Sequence, residues 1–218
     1  ESPTLGYRSQ PTPHAAFAAM ITRMDRDIGR IVDAIHARGL DSQTLIMFVS
    51  DNGPHVEGGA EPAFFNSSGG LRGVKRDLYD GGIRVPLIAK WAGTIPAGKV
   101  SDHVSAGWDL FPTFTDMAGI KTPSGLDGTS ILRALKGQSQ PADQFLYWEF
   151  HERGFQQAVR MGDWKAVRLA KDAPLELYDL KTDRAESTNV AAAHPDVVAK
   201  IETYLKTART ESASWPVK

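Results

Sequence analysis

No cysteine occurs among the 218 residues. That absence excludes disulfides, thiolate metal sites and a cysteine nucleophile. No apolar run approaches the roughly 18 residues of a membrane-spanning helix. Charge of one sign is not in excess either: 25 Lys and Arg oppose 26 Asp and Glu, for a formal net charge of −1. Such a balance points away from nucleic acid and from an anionic membrane surface. An initiator methionine and a signal peptide are missing, and Glu1 to Pro13 are polar and proline-rich. The chain is therefore expected to start within a loop, as a fragment or a processed chain.

What is present is a globular composition, 41% apolar and 23% charged, of a length for one large domain or somewhat more. Phe17, Met20, Ile21, Met24, Ile28, Ile31, Val32 and Ile35 fall at helical spacing, which predicts a helix over Ala15 to Arg38 stopped by Gly39. Leu45 to Val49 are apolar without alternation, the pattern of a parallel strand buried on both faces. Val85 to Trp91 reads as a second strand with Pro86 at its start, and Trp108 to Ala118 as a helix that tolerates Pro112 near its beginning. These alternating elements predict an α/β layer architecture.

A polar linker, Gly137 to Asp143, separates this part from four short strands. They are expected at Phe145 to Phe150, Gln156 to Arg160, Trp164 to Leu169 and Leu175 to Leu180, with Gly162-Asp163 as a hairpin turn. A helix over Pro195 to Arg209 closes the chain. The expected organisation is an α/β part over residues 1–140 and a small α+β part over 141–218.

Ser50-Asp51-Asn52-Gly53-Pro54-His55 follows the first apolar strand directly. Ligands of open α/β sheets bind outside the carboxyl ends of strands. A carboxylate and an amide carbonyl are hard oxygen donors that suit Ca²⁺ or Mg²⁺ rather than zinc. Asn-Gly after a strand is equally an ordinary turn. Downstream, Leu71 to Pro86 carries Arg72, Lys75, Arg76 and Arg84 among glycines that let backbone approach a ligand. A lysine ammonium there suits an oxyanion, sulfate or phosphate; read alone, the segment is also a solvated basic loop.

Taken together, Asp51-Asn52-Gly53, then Gly73-Val74-Lys75, then Tyr79-Asp80-Gly81-Gly82-Ile83-Arg84-Val85-Pro86 closely resemble the sulfatase family. Met24 to Gly29, Asp109 to Thr113, Leu126-Asp127-Gly128 and Leu177 to Leu180 fit the same pattern. Asp80 departs from it, since the family usually has Glu there. The resemblance implies a sulfuric ester hydrolase of arylsulfatase or carbohydrate-sulfatase type. Its fold would be part of an alkaline-phosphatase-like α/β sandwich, plus a small C-terminal antiparallel sheet with a terminal helix. It implies Asp51 and Asn52 as Ca²⁺ ligands, Lys75 on the sulfate and the leaving oxygen, and Arg84 as a loop-holding residue. A formylglycine is expected, made within Cys/Ser-x-Pro-x-Arg. Here Ser9-Gln10-Pro11-Thr12 is followed by Pro13 instead of Arg, and a first pair of metal aspartates is also missing. This chain alone is therefore expected to be inactive.

Further candidates are His55 as a catalytic group and Arg72, Glu149 and His151 as substrate contacts. Trp148 to Glu152 mixes aromatic and polar side chains as a sugar site does, and as a half-buried strand does. Glu57 is a weaker candidate; His103, Trp91, Trp108 and Trp164 are expected to be structural, the tryptophans in the core. The expected partner is a sulfated small molecule or glycan, with a missing N-terminal half or a second copy as a possible protein partner. Family habit implies a periplasmic or secreted location. The competing readings are a metal-dependent phosphatase or phosphodiesterase and a non-catalytic split half.

Overall fold

The computed structural model describes residues 11–141 and 145–217. Glu1 to Gln10, and with them the start of the Ser9 stretch, lie outside the described residues, as do Ala142 and Asp143 of the expected linker. In chain order the elements are α1 (Pro13–His36), β1 (Ile46–Val49), α2 (Pro62–Phe65), α3 (Asp80–Ile83), β2 (Leu87–Lys90), α4 (Leu110–Met117), α5 (Leu132–Leu135), β3 (Leu146–Phe150), β4 (Gln156–Met161), β5 (Trp164–Arg168), β6 (Glu176–Asp179) and α6 (Pro195–Leu205). They form two compact units that interleave in sequence. The first takes Glu1–Asp51, Val56–Glu61 and Pro86–Asp143; the second takes Asn52–His55, Pro62–Val85 and Gln144–Lys218. The glycine-rich stretch that carries Lys75 thus belongs with the C-terminal sheet rather than with the strand before it.

In the first unit α1 begins on Pro13, whose missing N–H costs nothing in the first turn. Gly39, at φ 65°, ends the helical path. Phe17, Ile28, Val32 and Ile35 are half-buried, while Met20, Ile21, Met24 and Ile31 are exposed, and no residue of α1 is fully buried. The expectation of a parallel, doubly buried strand is overturned. β1 pairs antiparallel with β2, Ile46 opposite Lys90 through Val49 opposite Leu87. A strand apolar on both faces needs layers on both sides, and among the described residues these two strands form a sheet of their own, with Val49, Leu87 and Ile88 exposed.

Around α4 two sequence motifs find structural work. The buried Asp109 carboxylate accepts the Ala106 N–H at 2.7 Å and the Thr129 N–H at 2.9 Å. A Cβ on Gly128 would lie 2.1 Å from the Trp108 carbonyl oxygen, so only glycine fits.

The second unit is built on an antiparallel meander, β3-β4-β5-β6. Gly162, at φ 60°, turns β4 into β5 and sets Met161 opposite Trp164. Side chains alternate across the sheet with period two. Val159, Ala166 and Leu177 face α6, where Ile201 is fully buried with Val197, Val198, Tyr204 and Leu205 around the same cluster. Burying an isoleucine completely contributes about 1.5–3 kcal/mol. Ala158, Val167 and Tyr178 face the other way and pack with Leu78, Tyr79 and Ile83. The sheet is therefore covered on both faces, which explains its small apolar residues. Of the tryptophans expected in the core, Trp164 packs, half-buried, against the cluster around Ile201, whereas Trp91 and Trp108 are half-buried and, among the described residues, lie outside both buried clusters. Trp91 keeps its indole N–H toward a partner, the Ser42 carbonyl, at 2.8 Å.

Candidate active site

Asp51 is exposed and closes the first unit; Asn52 is half-buried and opens the second. The Asn52 Nδ2 donates to the Gly53 carbonyl at 2.8 Å, which fixes the roll of the amide group. Among the described residues no three His, Cys, Asp or Glu gather as a metal site. The chemistry of Asp51 and Asn52 fits a hard cation, but two side chains fall short of the six to eight oxygens that Ca²⁺ takes.

From Asn52 onward the backbone is locked. The Gly53 N–H donates to the Gly82 carbonyl at 2.8 Å, and the Lys75 N–H donates to the Pro54 carbonyl at 2.8 Å. The Gly81 N–H donates to the Arg72 carbonyl at 2.7 Å. Glycine makes this approach possible: a Cβ on Gly81 would sit 2.3 Å from the Gly73 oxygen, and one on Gly82 would sit 2.1 Å from the Asp77 oxygen. The Asn52–Pro54 turn and Lys75 thus lie on one backbone assembly. Lys75 and His55 are half-buried. Arg76, next to Lys75, is held at φ 81°, in the left-handed region that a side chain disfavours.

Arg72 lies across the face of Tyr79, 3.8 Å from the ring centroid, and its Nη1 donates to the Tyr178 hydroxyl at 2.9 Å and to the Glu186 carbonyl at 2.8 Å. Both tyrosines donate to Glu176, at 2.6 and 2.7 Å. Burial and the Glu176 charge push the Tyr178 hydroxyl up to about 12. Arg72 is thereby committed to the sheet.

Glu149 and His151 come together on and just after β3, with Nε2 of His151 3.2 Å from Oε1 of Glu149. Oε2 of Glu149 accepts the Tyr147 hydroxyl at 2.8 Å and Arg209 Nε at 3.0 Å. Burial alone would raise the Glu149 carboxyl, but these donors hold it below its ordinary value. His151 also meets Trp215, ring to ring at 5.6 Å. The hairpin after His151 reaches the Lys75 loop: Arg76 Nε is 2.8 Å from Glu152, and Arg153 is 3.4 Å from Asp77.

Sequence reasoning missed the group beneath the loop. Lys165, fully buried on β5, places Nζ 2.8 Å from Asp80 Oδ1 and 3.4 Å from Glu186 Oε1. Arg84, whose partner sequence left open, pairs with Asp80 at 3.5 Å. The one available signal was a lysine at an inward strand position between Trp164 and Ala166, and it does not name a partner.

Residues 5–120 match the family model described as Sulfatase, and residues 73–211 match the one described as N-sulphoglucosamine sulphohydrolase, C-terminal. The steryl-sulfatase of Mus musculus is 33% identical over 159 residues, covering 71% of this chain and 25% of that protein. A sulfatase of Formosa agariphila is 33% identical over 206 residues, 83% of this chain and 36% of that one. The chain thus spans well under half of either relative. The solved structure of Ps i-CgsB in complex with k-i-k-neocarrahexaose superposes with a TM-score of 0.79 at 27% identity, covering 100% of this chain and 51% of that one.

Proposed function

The chain belongs to the sulfatase family, with part of an alkaline-phosphatase-like mixed α/β fold, and from that premise we propose that it contributes to a hydrolase of sulfuric esters acting on a sulfated carbohydrate. The observation that carries this reading is the shared backbone of the Asn52–Pro54 turn and Lys75, tied by the Lys75-to-Pro54 and Gly53-to-Gly82 hydrogen bonds. A cation and a metal-type oxygen donor on one rigid scaffold suit a tetrahedral oxyanion.

Asp51 and Asn52 would hold Ca²⁺, which when bound neutralises charge on sulfate oxygens. Lys75 stabilises charge on the leaving oxygen. His55, in the same turn, would donate a proton to the leaving alcohol oxygen as the S–O bond breaks. Arg72, held by the Tyr178 hydroxyl and the Glu186 carbonyl, braces the backbone that leads to Lys75. By family habit the nucleophile is a formylglycine, and its Cys/Ser-x-Pro-x-Arg motif does not occur in these 218 residues. The carbohydrate preference rests on the sugar sulfatase model over residues 73–211 and on full coverage by the oligosaccharide-bound structure, against the shorter match to the steryl enzyme. Glu149 and His151, with Trp215 beside them, would face the sugar. A periplasmic or secreted location follows the same reading; no helix among the described residues is long and apolar enough to cross a membrane.

Inorganic sulfate titrated into the chain tests the site. Amide shifts at Gly53 and Lys75 that vanish in Lys75→Ala are expected. Absence of those shifts, or stronger shifts with phosphate, overturns the sulfate assignment in favour of no site or of phosphoryl chemistry. A chromogenic sulfate ester with Ca²⁺ should show no turnover by this chain alone.

A second reading concerns assembly. Met20, Ile21 and Met24 on α1, and Leu87 and Ile88 on β2, are exposed. Apolar surface of that kind supports association with a partner segment that completes the site, or with a second copy.

A further inference from the structure

The Lys75 loop is strained, and it rests on a buried ion cluster that the reaction itself does not use. Arg76 sits at φ 81° within the loop, and Glu186 sits at φ 51° beneath it. Left-handed backbone with a side chain persists only where the surroundings impose it. For Glu186 those surroundings are visible: its carbonyl accepts from Arg72 at 2.8 Å, and its Oε2 accepts the Asp80 N–H at 2.6 Å. Asp80 begins the Gly81-Gly82 turn, and that turn accepts the Gly53 N–H and donates to Arg72. We propose that Lys165 is a positioning residue, which through Asp80 and Glu186 fixes the Gly81-Gly82 turn and thereby the placement of Lys75 against the Asn52–Pro54 turn. The proposal rests on the reading of Lys75 as the oxyanion contact.

Charge and direction both favour this role. Lys165 and Arg84 together balance Asp80 and Glu186, with Nζ to Oδ1 at 2.8 Å and Arg84 to Oδ2 at 3.5 Å. Lys165 also stands 5.9 Å from the face of Trp148. An apolar contact in the same place would bury as much surface and hold the segment down. It would not fix where the segment sits along the sheet, because hydrophobic attraction has no direction. A buried ion cluster adds little net stability over apolar side chains, so its retention here is explained by specificity of arrangement. The two carboxyls divide the work. Burial would raise Asp80, but the Lys165 charge and hydrogen bond outweigh it and hold Asp80 ionised. For Glu186 burial wins and the carboxyl is raised.

Amide hydrogen exchange on the full chain tests this with Lys165→Met, Asp80→Asn and Lys165→Arg. Protection in residues 72–84 and 52–55 is expected to fall at least tenfold in the first two variants. In the same variants it should change less than twofold in residues 156–168, and Lys165→Arg should recover most of the loss. Unchanged protection in 72–84, or an equal fall in 156–168, overturns the positioning role; if Lys165→Met does not fold, Asp80→Asn decides by the same criteria. Sulfate separates the underlying reading: protection of 72–84 by inorganic sulfate in the unaltered chain, lost in Lys75→Ala, supports Lys75 as the oxyanion contact. A loop that loosens in Asp80→Asn yet shows no sulfate protection sinks the Lys75 reading alone and leaves the anchoring role standing.

Discussion

Gly53 donates its N–H to the carbonyl of Gly82 at 2.8 Å, across 29 positions of sequence, as 82 minus 53 gives. A Cβ on Gly53 would stand 1.9 Å from the Gly81 oxygen, so the contact exists only because that atom is missing. Neither side can yield, since both are backbone.

Gly53→Ala is therefore expected to cost about 3 kcal/mol, the upper end of overpacking penalties. Urea unfolding reads it as a lower midpoint at unchanged slope. A loss within about 0.5 kcal/mol, ordinary for a surface change, would contradict the close approach.

Ile201 is fully buried between α6 and the sheet. Ile201→Ala should cost about 2–5 kcal/mol from lost transfer energy and the cavity left behind. The same unfolding experiment measures it, and α6 should lose exchange protection first.

Glu186→Gln probes the ion cluster through pH. Burial holds the Glu186 carboxyl above its ordinary value of 4.5, so folding favours the protonated form. The penalty on the ionised form is absent well below pH 4.5 and grows as pH rises through the folded-state value. The variant lacks it, so its stability relative to the unaltered chain should be flat in acid and rise with pH above about 4.5. Asp80 works in the opposite sense. Its depressed carboxyl gives stability above its ordinary value of 3.8, lost on further acidification in both proteins alike. Thermal melts from pH 3 to pH 8, chosen to span both ordinary values, check the difference. A difference that falls with rising pH would contradict the assignment.

Calcium binding by this chain alone should be weak, with Kd about 1 mM or above, because affinity follows ligand count and site rigidity. Calorimetry is the measurement, and Asp51→Ala should remove the signal. Tight binding that survives Asp51→Ala would move the site elsewhere.

Ile88 is 63% exposed and Met20 is 70% exposed. Ile88→Thr and Met20→Gln should change stability by less than about 0.5 kcal/mol and should lower any self-association seen by sedimentation.

The elements were largely legible. Gly162-Asp163 marked the β4–β5 turn, Gly39 the end of α1, and the apolar spacing of Val197, Val198 and Ile201 the face of α6. The run after Thr44 has the composition of a buried parallel strand, yet it forms an antiparallel strand that is only partly covered. Composition reports what a strand tolerates on its faces, not which neighbours are there to cover them. The candidate site is legible in the sequence only as a list of residue types: Asp51, Asn52 and Lys75 stand out by chemistry and order.

By itself the sequence determined the family pattern, the helices and the four-stranded meander, because period and turn chemistry act over a few residues. Only the tertiary structure decided that Arg72 lies on Tyr79 instead of pointing outward, and that Lys165 meets Asp80 across 85 positions of sequence. It likewise brought Gly53 against Gly82. Such pairings are chosen by packing, where a buried charge must find its opposite and a backbone donor its acceptor. No local pattern encodes which distant residue that will be.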